Sequence, residues 1–257
     1  MQKCPNCQAE NDKNASACFL CGEPLKKGLF KKIFGGGNKA PTQTTESYDV
    51  PVETYSEPEP TEAFPTHEPQ QDEPADAKAL KELGTAFFRK GQFQRAIEAL
   101  TDAINMDPQY TNAYYNRGLC NLNLGRYEHA VEDFDAAIRL EPEDAEAYAN
   151  LGMTRLRLGE AEQALRDYGE AIRFDPENAS HINGRGAANF DLGRFEEAVQ
   201  DFSEAMRFSP QDPYAYSNRA FSYIRLGKYA EAEEDVKRAA ELGMDTSEVM
   251  EELYRRR

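Results

Sequence analysis

Four cysteines near the start of the chain could together hold one metal ion. Cys4 and Cys7 form one CxxC pair, Cys18 and Cys21 form a second, and ten residues separate the two pairs. Each pair can turn tightly so that two thiolates reach the same cation, and four thiolates make the closed tetrahedral site that suits structural Zn²⁺. Because no coordination position stays open, we expect this metal to have a structural role and no catalytic one.

The clustering of four of the five cysteines favours metal binding in a reducing compartment over a disulfide framework. Two redox-active CxxC motifs are the alternative, and the absence of a βαβ pattern around either pair disfavours it. With Gly22 after the last cysteine, residues 1–25 resemble the minimal zinc ribbons at the ends of bacterial proteins. In such small modules Zn²⁺ binding, worth about 10–16 kcal/mol in finger peptides, would supply the folding energy.

A basic amphipathic segment follows at residues 26–39. Leu29, Phe30, Ile33 and Phe34 would share one face of a short helix. The other side carries Lys26, Lys27, Lys31 and Lys32. Such a segment can lie weakly on an anionic membrane surface or dock on an acidic partner. A solubilised linker that contacts the acidic residues downstream is the alternative.

Residues 40–75 have the composition of a disordered linker. They hold seven of the fourteen prolines, many Thr, Glu and Gln, and no apolar period. This composition cannot bury enough surface to offset the entropy of ordering, and its prolines and one-signed charge favour an extended chain. We expect either a tether that lets its two flanking modules bind separately or a spacer without a partner.

The charge of the chain disfavours nucleic acid as the main partner. The 257 residues carry a net charge of −16, although the first forty, with seven Lys and three acidic residues, are net +4. Bulk nucleic-acid binding depends on the neutralisation of phosphates, which an acidic body opposes. The sequence shows neither an apolar run of about 18 residues nor a signal-peptide core, so we predict a soluble cytoplasmic protein.

Residues 77–246 repeat themselves every 34 residues. Glycine marks the middle of each unit, and alanine recurs at two later places. The units are residues 77–110, 111–144, 145–178, 179–212 and 213–246, followed by a cap at 247–257. The mid-unit glycines are Gly91, Gly125, Gly159, Gly193 and Gly227. A fixed period near this length indicates stacked supersecondary units that bury a continuous core together.

Each recurring residue type has a structural reason. Apolar residues run at helical spacing up to the mid-unit glycine, which can take the left-handed conformation that ends a helix. A second helix, such as residues 195–208, then runs to a proline that cannot donate to the preceding turn. The alanines and the glycine of the first helix lie where paired helices would cross closely. A larger side chain there would overpack the crossing.

This pattern resembles the tetratricopeptide repeat family. The third unit shows its signature as Tyr148, Leu151-Gly152, Ala164, Tyr168 and Pro176. The resemblance implies an all-α, right-handed solenoid of five helix–turn–helix repeats with a C-terminal capping helix. It also implies a concave groove that binds a protein or peptide, and it implies no reaction.

In this family the groove is lined by places 2, 5, 6, 9 and 13 of each unit, counted from its first residue. The resemblance therefore assigns the groove to Asn112, Tyr115, Asn116, Asn150, Met153, Arg157, Asn183, Tyr214, Asn218, Phe221 and Arg225. Asn recurs at place 6, and its amide can donate to and accept from a peptide backbone of any sequence. Glu82 and Gly184 interrupt this row. Asn as a merely solvated groove residue is the alternative.

The carboxylate clamp of chaperone-binding relatives is not expected here. Lys81 and Asn116 match that clamp, whereas Thr85, Glu146 and Asn150 depart from it. A Glu where a Lys should face a carboxylate is repulsive.

Other recurring or isolated residues are predicted to be structural. We expect an Asp column and an Arg column to pair as packing residues, Cys120 to lie in the core, and the single His129 and His181 to lie on the surface.

These observations predict a non-enzymatic interaction scaffold that binds a peptide or protein in its groove, with a structural zinc module. The alternative is nucleic-acid or ribonucleoprotein binding by the zinc ribbon, with the solenoid as recruiter. No nucleophile–base pair, phosphate loop or open metal site points to an enzyme.

Overall fold

The computed structural model describes residues 76–257 and two short strands, β1 at Gln2–Lys3 and β2 at Glu10–Asn11. The strands pair antiparallel, with Gln2 opposite Asn11 and Lys3 opposite Glu10. The four metal-ligand candidates, the basic segment and the predicted linker lie outside the described residues.

Residues 76–257 form eleven helices, two in each 34-residue unit and one after the last unit. Their bounds are α1 Ala77–Arg89, α2 Phe93–Met106, α3 Thr111–Asn123, α4 Tyr127–Leu140, α5 Ala145–Leu158, α6 Ala161–Phe174, α7 Ala179–Asp191, α8 Phe195–Phe208, α9 Pro213–Arg225, α10 Tyr229–Glu241 and α11 Ser247–Arg256. Each first helix packs on its own second helix, and each second helix packs on the first helix of the next unit. The all-α, repeating architecture predicted from the sequence is confirmed for this part of the chain.

The ends of the helices follow the sequence signals. The mid-unit glycines all adopt positive φ, between 70° and 83°, which turns the chain from the first helix into the second. The last residue before a unit often caps its first helix. Asp76, Asp144, Asn178 and Asp212 each accept a backbone N–H of the following turn through their side chains.

The two helices of a unit cross at a glycine that faces a large buried side chain. A Cβ at Gly118 would lie 2.8 Å from Cε1 of Phe134, and one at Gly186 would lie 2.7 Å from Cε1 of Phe202. In the fifth unit Ala220 replaces the glycine, and the smaller Val236 replaces the aromatic residue. The total volume at the crossing is thus kept, as a close-packed core requires.

The predicted Arg and Asp columns pair within units and extend to the preceding unit. Arg219 Nε and Nη2 donate to the carboxylate of Asp235 at 2.8 and 2.7 Å, and Arg219 Nη1 donates to Ser203 Oγ of α8 at 2.9 Å. Arg117 repeats this arrangement with Asp133 and Thr101. Arg117 and Arg219 therefore each join three helices, whereas Arg185 bonds only to Asp201 and Glu204 of α8.

Burial raises the pKa of Asp133, Asp201 and Asp235 even though each is paired with an arginine. The third unit has Leu151 at the place that Arg117 occupies in the second unit, and Arg155 pairs with its aspartate instead. Arg155 Nη1 lies 2.7 Å from both carboxylate oxygens of Asp167. Burial raises the pKa of Asp167 to about 6.

The last helix, α11, closes the stack. It buries Val249 and Leu253 against the fifth unit, whereas Met250 is half-buried. A polar outer end of this kind is what repeat arrays need for solubility. Within residues 76–257 no helix has the length and apolarity that crossing a bilayer requires.

Candidate peptide-binding groove

The residues assigned to the groove lie on the first helices α3, α5, α7 and α9. Side chains at place 6 of one unit meet side chains at place 5 of the preceding unit. Asn150 Nδ2 donates to Tyr115 Oη at 3.0 Å, and Asn218 Nδ2 donates to Asn183 Oδ1 at 3.1 Å. The same contact thus joins α3 to α5 and α7 to α9.

The row of asparagines is also bonded to its own helices. Asn116 Nδ2 donates to the Asn112 carbonyl at 2.7 Å, and Asn150 Nδ2 donates to the Glu146 carbonyl at 2.9 Å. Asn150 therefore uses both of its donor hydrogens inside the protein and keeps its carbonyl oxygen as an acceptor. These contacts hold the amides in fixed orientations, which favours recognition of a ligand backbone.

Accessibility changes along the groove. Asn112 is exposed, and Tyr115, Asn116, Asn150 and Met153 are half-buried. In the fourth and fifth units the corresponding residues are shielded: Asn183 is 7% exposed, Asn218 0% and Phe221 4%. The residues best placed to touch a partner from solution are therefore those of the second and third units.

The rims carry aromatic and cationic side chains. Tyr214 is 38% exposed at the start of α9. The guanidinium of Arg225, at the end of the same helix, lies 4.6 Å from the ring centre of Phe195 and 5.7 Å from that of Phe190. Arg157 is half-buried, and burial lowers its pKa. Burial together with Glu146 raises the pKa of Tyr115 to about 12, so this phenol stays protonated and can donate.

The interruption of the asparagine row at Gly184 has a steric cause. Tyr168, on α6, is fully buried, and its ring lies against α7. A Cβ on Gly184 would lie 2.2 Å from Cε1 and 2.3 Å from Cζ of this ring. Only glycine fits beside Tyr168, so the fourth unit cannot carry Asn at this place. Sequence reasoning identified the gap but not the tyrosine that requires it.

The surface placement predicted for His181 is wrong, whereas His129 is exposed as expected. His181 is 2% exposed, and its Nε2 lies 3.4 Å from Glu146 Oε1 on the neighbouring first helix. Its Nδ1 is buried without a hydrogen-bond partner. The repeat register could have indicated a buried position for His181. The units on either side hold alanine at the same place, Ala147 and Ala215, and both are buried.

The described residues contain no group of three or more potential metal ligands. Cys120 lies fully buried in the core as predicted, and burial raises the pKa of its thiol to about 12, which makes it unreactive.

The structure resembles solved repeat proteins. MamA from Desulfovibrio magneticus RS-1 is 22% identical, with a TM-score of 0.62 over 65% of this chain and 94% of that one. YrrB, described as a TPR protein with an unusual peptide-binding site, is 20% identical, with a TM-score of 0.60 over 68% and 91%. A tetratricopeptide repeat protein from Parabacteroides merdae is 24% identical, with a TM-score of 0.61 over 72% and 71%. At these identities the likeness shows the fold alone.

No curated protein matches the sequence significantly. A family model does match, over residues 55–253, which is most of the chain and nearly all of the helical array. The chain therefore belongs to the tetratricopeptide repeat family described as the cilia and flagella-associated protein 70 C-terminal domain.

Proposed function

We propose that the chain is a non-enzymatic scaffold whose concave face binds an extended segment of a partner protein. The observation that carries this proposal is the row of oriented amides and aromatic side chains on α3 and α5. Asn112, Asn116 and Asn150 offer polar atoms at intervals along this face, and Tyr115 and Met153 add half-buried apolar surface between them. Amide groups can pair with backbone N–H and C=O groups, while apolar surface supplies affinity.

The likeness to YrrB supports the proposal, since that protein is described as having a peptide-binding site. The groove chemistry also argues against a ligand carboxylate as the anchor. Glu146 is exposed at the place where a clamp would need a cation, and it would repel a carboxylate. Sequence-tolerant recognition of a peptide backbone is the mode that the residues favour.

The groove is tested with peptides selected from a displayed library on the full chain. We expect the triple variant Asn112→Ala, Asn116→Ala, Met153→Ala to bind a selected peptide about tenfold more weakly, because two polar contacts and one apolar contact are lost. Fluorescence anisotropy measures the affinity. The matched control is Asp102→Ala, an exposed residue on the second helix α2. Equal affinities of the triple variant and the wild type would contradict the groove assignment.

We further propose that Cys4, Cys7, Cys18 and Cys21 hold one structural Zn²⁺. The strand pair supports this, because β1 ends at Lys3 and β2 starts at Glu10, so the first CxxC pair lies in the connection between paired strands. A short hairpin connection can bring two thiolates to one cation. A cytoplasmic location, whose reducing conditions keep the thiols available, fits this proposal. Nucleic-acid binding by this module remains the alternative function.

We predict one zinc per chain by elemental analysis of the purified protein, and less than one tenth of that for the double variant Cys18→Ser, Cys21→Ser. Removal of two of four thiolates leaves too few ligands for a closed site. The helices lie within residues 77–256, which do not include the cysteines, so we expect the far-ultraviolet circular dichroism near 222 nm to change little. A wild-type protein with no bound zinc after purification without chelators would refute the prediction.

A further inference from the structure

Within residues 76–257, the first helix α1 has no preceding unit to cover its outer face. This face is formed by places 3, 7 and 10 of the first unit, which are Ala79, Leu83 and Ala86. Leu83 is 42% exposed, Ala86 is also exposed, and Ala79 is half-buried. At the opposite end of the array, α11 packs on the fifth unit. The described array is therefore covered at one end and open at the other.

The corresponding face of every later unit packs on the second helix of the unit before it. The third unit is the closest match to the first, because it also carries alanine at place 3 and leucine at place 7. These residues, Ala147 and Leu151, are 0% and 2% exposed, and Thr154 at place 10 is 0% exposed. Leu151 belongs to one apolar cluster with Phe134 of α4, and Ile138 of α4 packs against that cluster. The face that α1 leaves open is thus the one through which α5 binds α4.

The open face lies on a basic helix. The helix α1 and its C-cap residue carry one acidic residue, Glu82, and four cations: Lys78, Lys81, Arg89 and Lys90. Three of these cations, Lys78, Arg89 and Lys90, are exposed. The surroundings of the face therefore favour a partner surface of negative charge.

The helix that occupies the equivalent face of the third unit is acidic. α4 carries four acidic residues and one arginine, and Asp135 Oδ1 lies 3.9 Å from Arg155 Nη2 of α5. The half-buried Phe87 takes the place of Arg155 in α1, and the guanidinium of the exposed Arg95 lies 4.3 Å from the centre of its ring. A cation is thus available beside the open face as well, although α2 supplies it.

We propose that the outer face of α1 binds an acidic amphipathic helix of a partner protein, in the way that α4 packs on α5. Apolar residues at helical spacing on the partner helix cover Leu83 and the two alanines, and burial of this surface supplies affinity. Acidic residues beside them face the cations of α1 and Arg95, which fixes the orientation. This face is separate from the concave groove, so the proposal does not depend on the proposed function.

Two other occupants fit the face less well. A second copy offers no uncovered second helix among residues 76–257, because α2, α4, α6 and α8 each pack on the next unit and α10 packs on α11. Two α1 faces would bring charges of the same sign together, which is repulsive. Residues 55–75 of the same chain are acidic, but their five prolines disfavour a helix.

Photocrosslinking of the full chain identifies the occupant. The probe is a synthetic peptide of residues 127–140, the sequence of α4, with an Ala-rich turn added at each end because so short a helix is marginal in water. The crosslinker p-benzoyl-phenylalanine replaces Leu83, and mass spectrometry maps the products. We expect crosslinks to the apolar side of the peptide. Crosslinks to residues 40–75 instead, or to a second copy in a mixture of light and heavy isotope-labelled chains, would overturn the proposal.

Fluorescence anisotropy of the labelled peptide measures its affinity for variants of the full chain. The double variant Leu83→Glu, Ala86→Glu should bind about tenfold more weakly, because both apolar contact and charge complementarity are lost. Both side chains are exposed, so circular dichroism should show an unchanged helix content. The matched control is Met106→Glu, since Met106 is an apolar residue of α2 that is 55% exposed. Equal affinities of the double variant and the wild type would contradict the proposal.

The charge requirement and the location are checked separately. A peptide with Glu128→Gln, Glu132→Gln and Asp135→Asn should bind severalfold more weakly, and no loss would contradict the requirement for an acidic helix. The groove variant Asn112→Ala, Asn116→Ala, Met153→Ala should bind the α4 peptide as the wild type does. Loss of binding there would place the peptide in the groove and overturn the assignment to α1. So would anionic vesicles that bind the wild type but not the Leu83→Glu, Ala86→Glu variant, if the peptide binds neither.

Discussion

Gly184→Ala is expected to lower the free energy of unfolding by about 1–3 kcal/mol, although alanine is the better helix former. The new methyl group would lie 2.2 Å from the ring of Tyr168, which is 3% exposed and has Gly152 on another side. Overpacking of this kind costs about 1–3 kcal/mol, which exceeds the gain of about 1 kcal/mol in helix propensity. Urea unfolding followed by circular dichroism measures the change.

Gly169→Ala is the matched control for this substitution. Gly169 lies in the middle of α6, one residue after Tyr168, and a Cβ there would meet nothing within 4 Å. We expect this variant to gain up to about 1 kcal/mol, because only the helix propensity changes. If both variants are stabilised equally, then α7 can shift away from Tyr168 and the packing argument fails.

The contrast between these two glycines shows what the sequence could and could not predict. The 34-residue registers correctly predict helix pairs, turns at positive-φ glycines and close crossings at a second glycine column, because each of these needs only local chemistry. Gly184 stands outside both glycine columns. Glycine is required there by Tyr168 of the preceding unit, 16 residues away in the sequence. The pattern of residues along one helix does not show which side chain of a neighbouring helix contacts a given position.

The groove was predictable to a similar extent. The register places the candidate residues on the first helices, but whether a side chain is open or shielded depends on its neighbours. Asn116 and Asn218 share a place and residue type, yet one is half-buried and the other is fully buried. His181 was misplaced because it was considered as a single residue. A comparison with the alanines at the same place in other units would have indicated a buried position.

The shielding of Asn218 also affects how its substitution should be interpreted. Alanine at this place removes the bond to Asn183 and leaves an unfilled space at a 0% exposed site, so stability changes along with ligand binding. The half-open residues of α3 and α5 are therefore the better probes of function. Loss of binding in those variants can be attributed to the groove surface itself.

The largest stability effect is expected at the buried ion pairs between helices. Asp201→Ala should destabilise the protein by about 3 kcal/mol, the low end of the cost of a broken buried pair. It removes the acceptor of Asn189 and leaves the partly exposed guanidinium of Arg185 with only its 3.2 Å contact to Glu204. Arg185 Nε and Nη2 lie 2.9 and 2.5 Å from Asp201 Oδ1, and Asn189 Nδ2 lies 2.8 Å from Oδ2. The control Glu241→Ala breaks the exposed pair with Arg238 and should cost less than about 1 kcal/mol.

The first unit indicates how this loss could be reversed. At the places of Arg185 and Asp201 it carries Leu83 and Ala99, so the fold accepts an apolar pair there. We expect the double variant Arg185→Leu, Asp201→Ala to be more stable than Asp201→Ala alone, because it removes a guanidinium that has lost its main acceptor. Thermal and urea unfolding of the single and double variants measure the difference. A double variant that is less stable than the single one would mean that Arg185 contributes more, through its packing and its contact with Glu204, than its charge costs without Asp201.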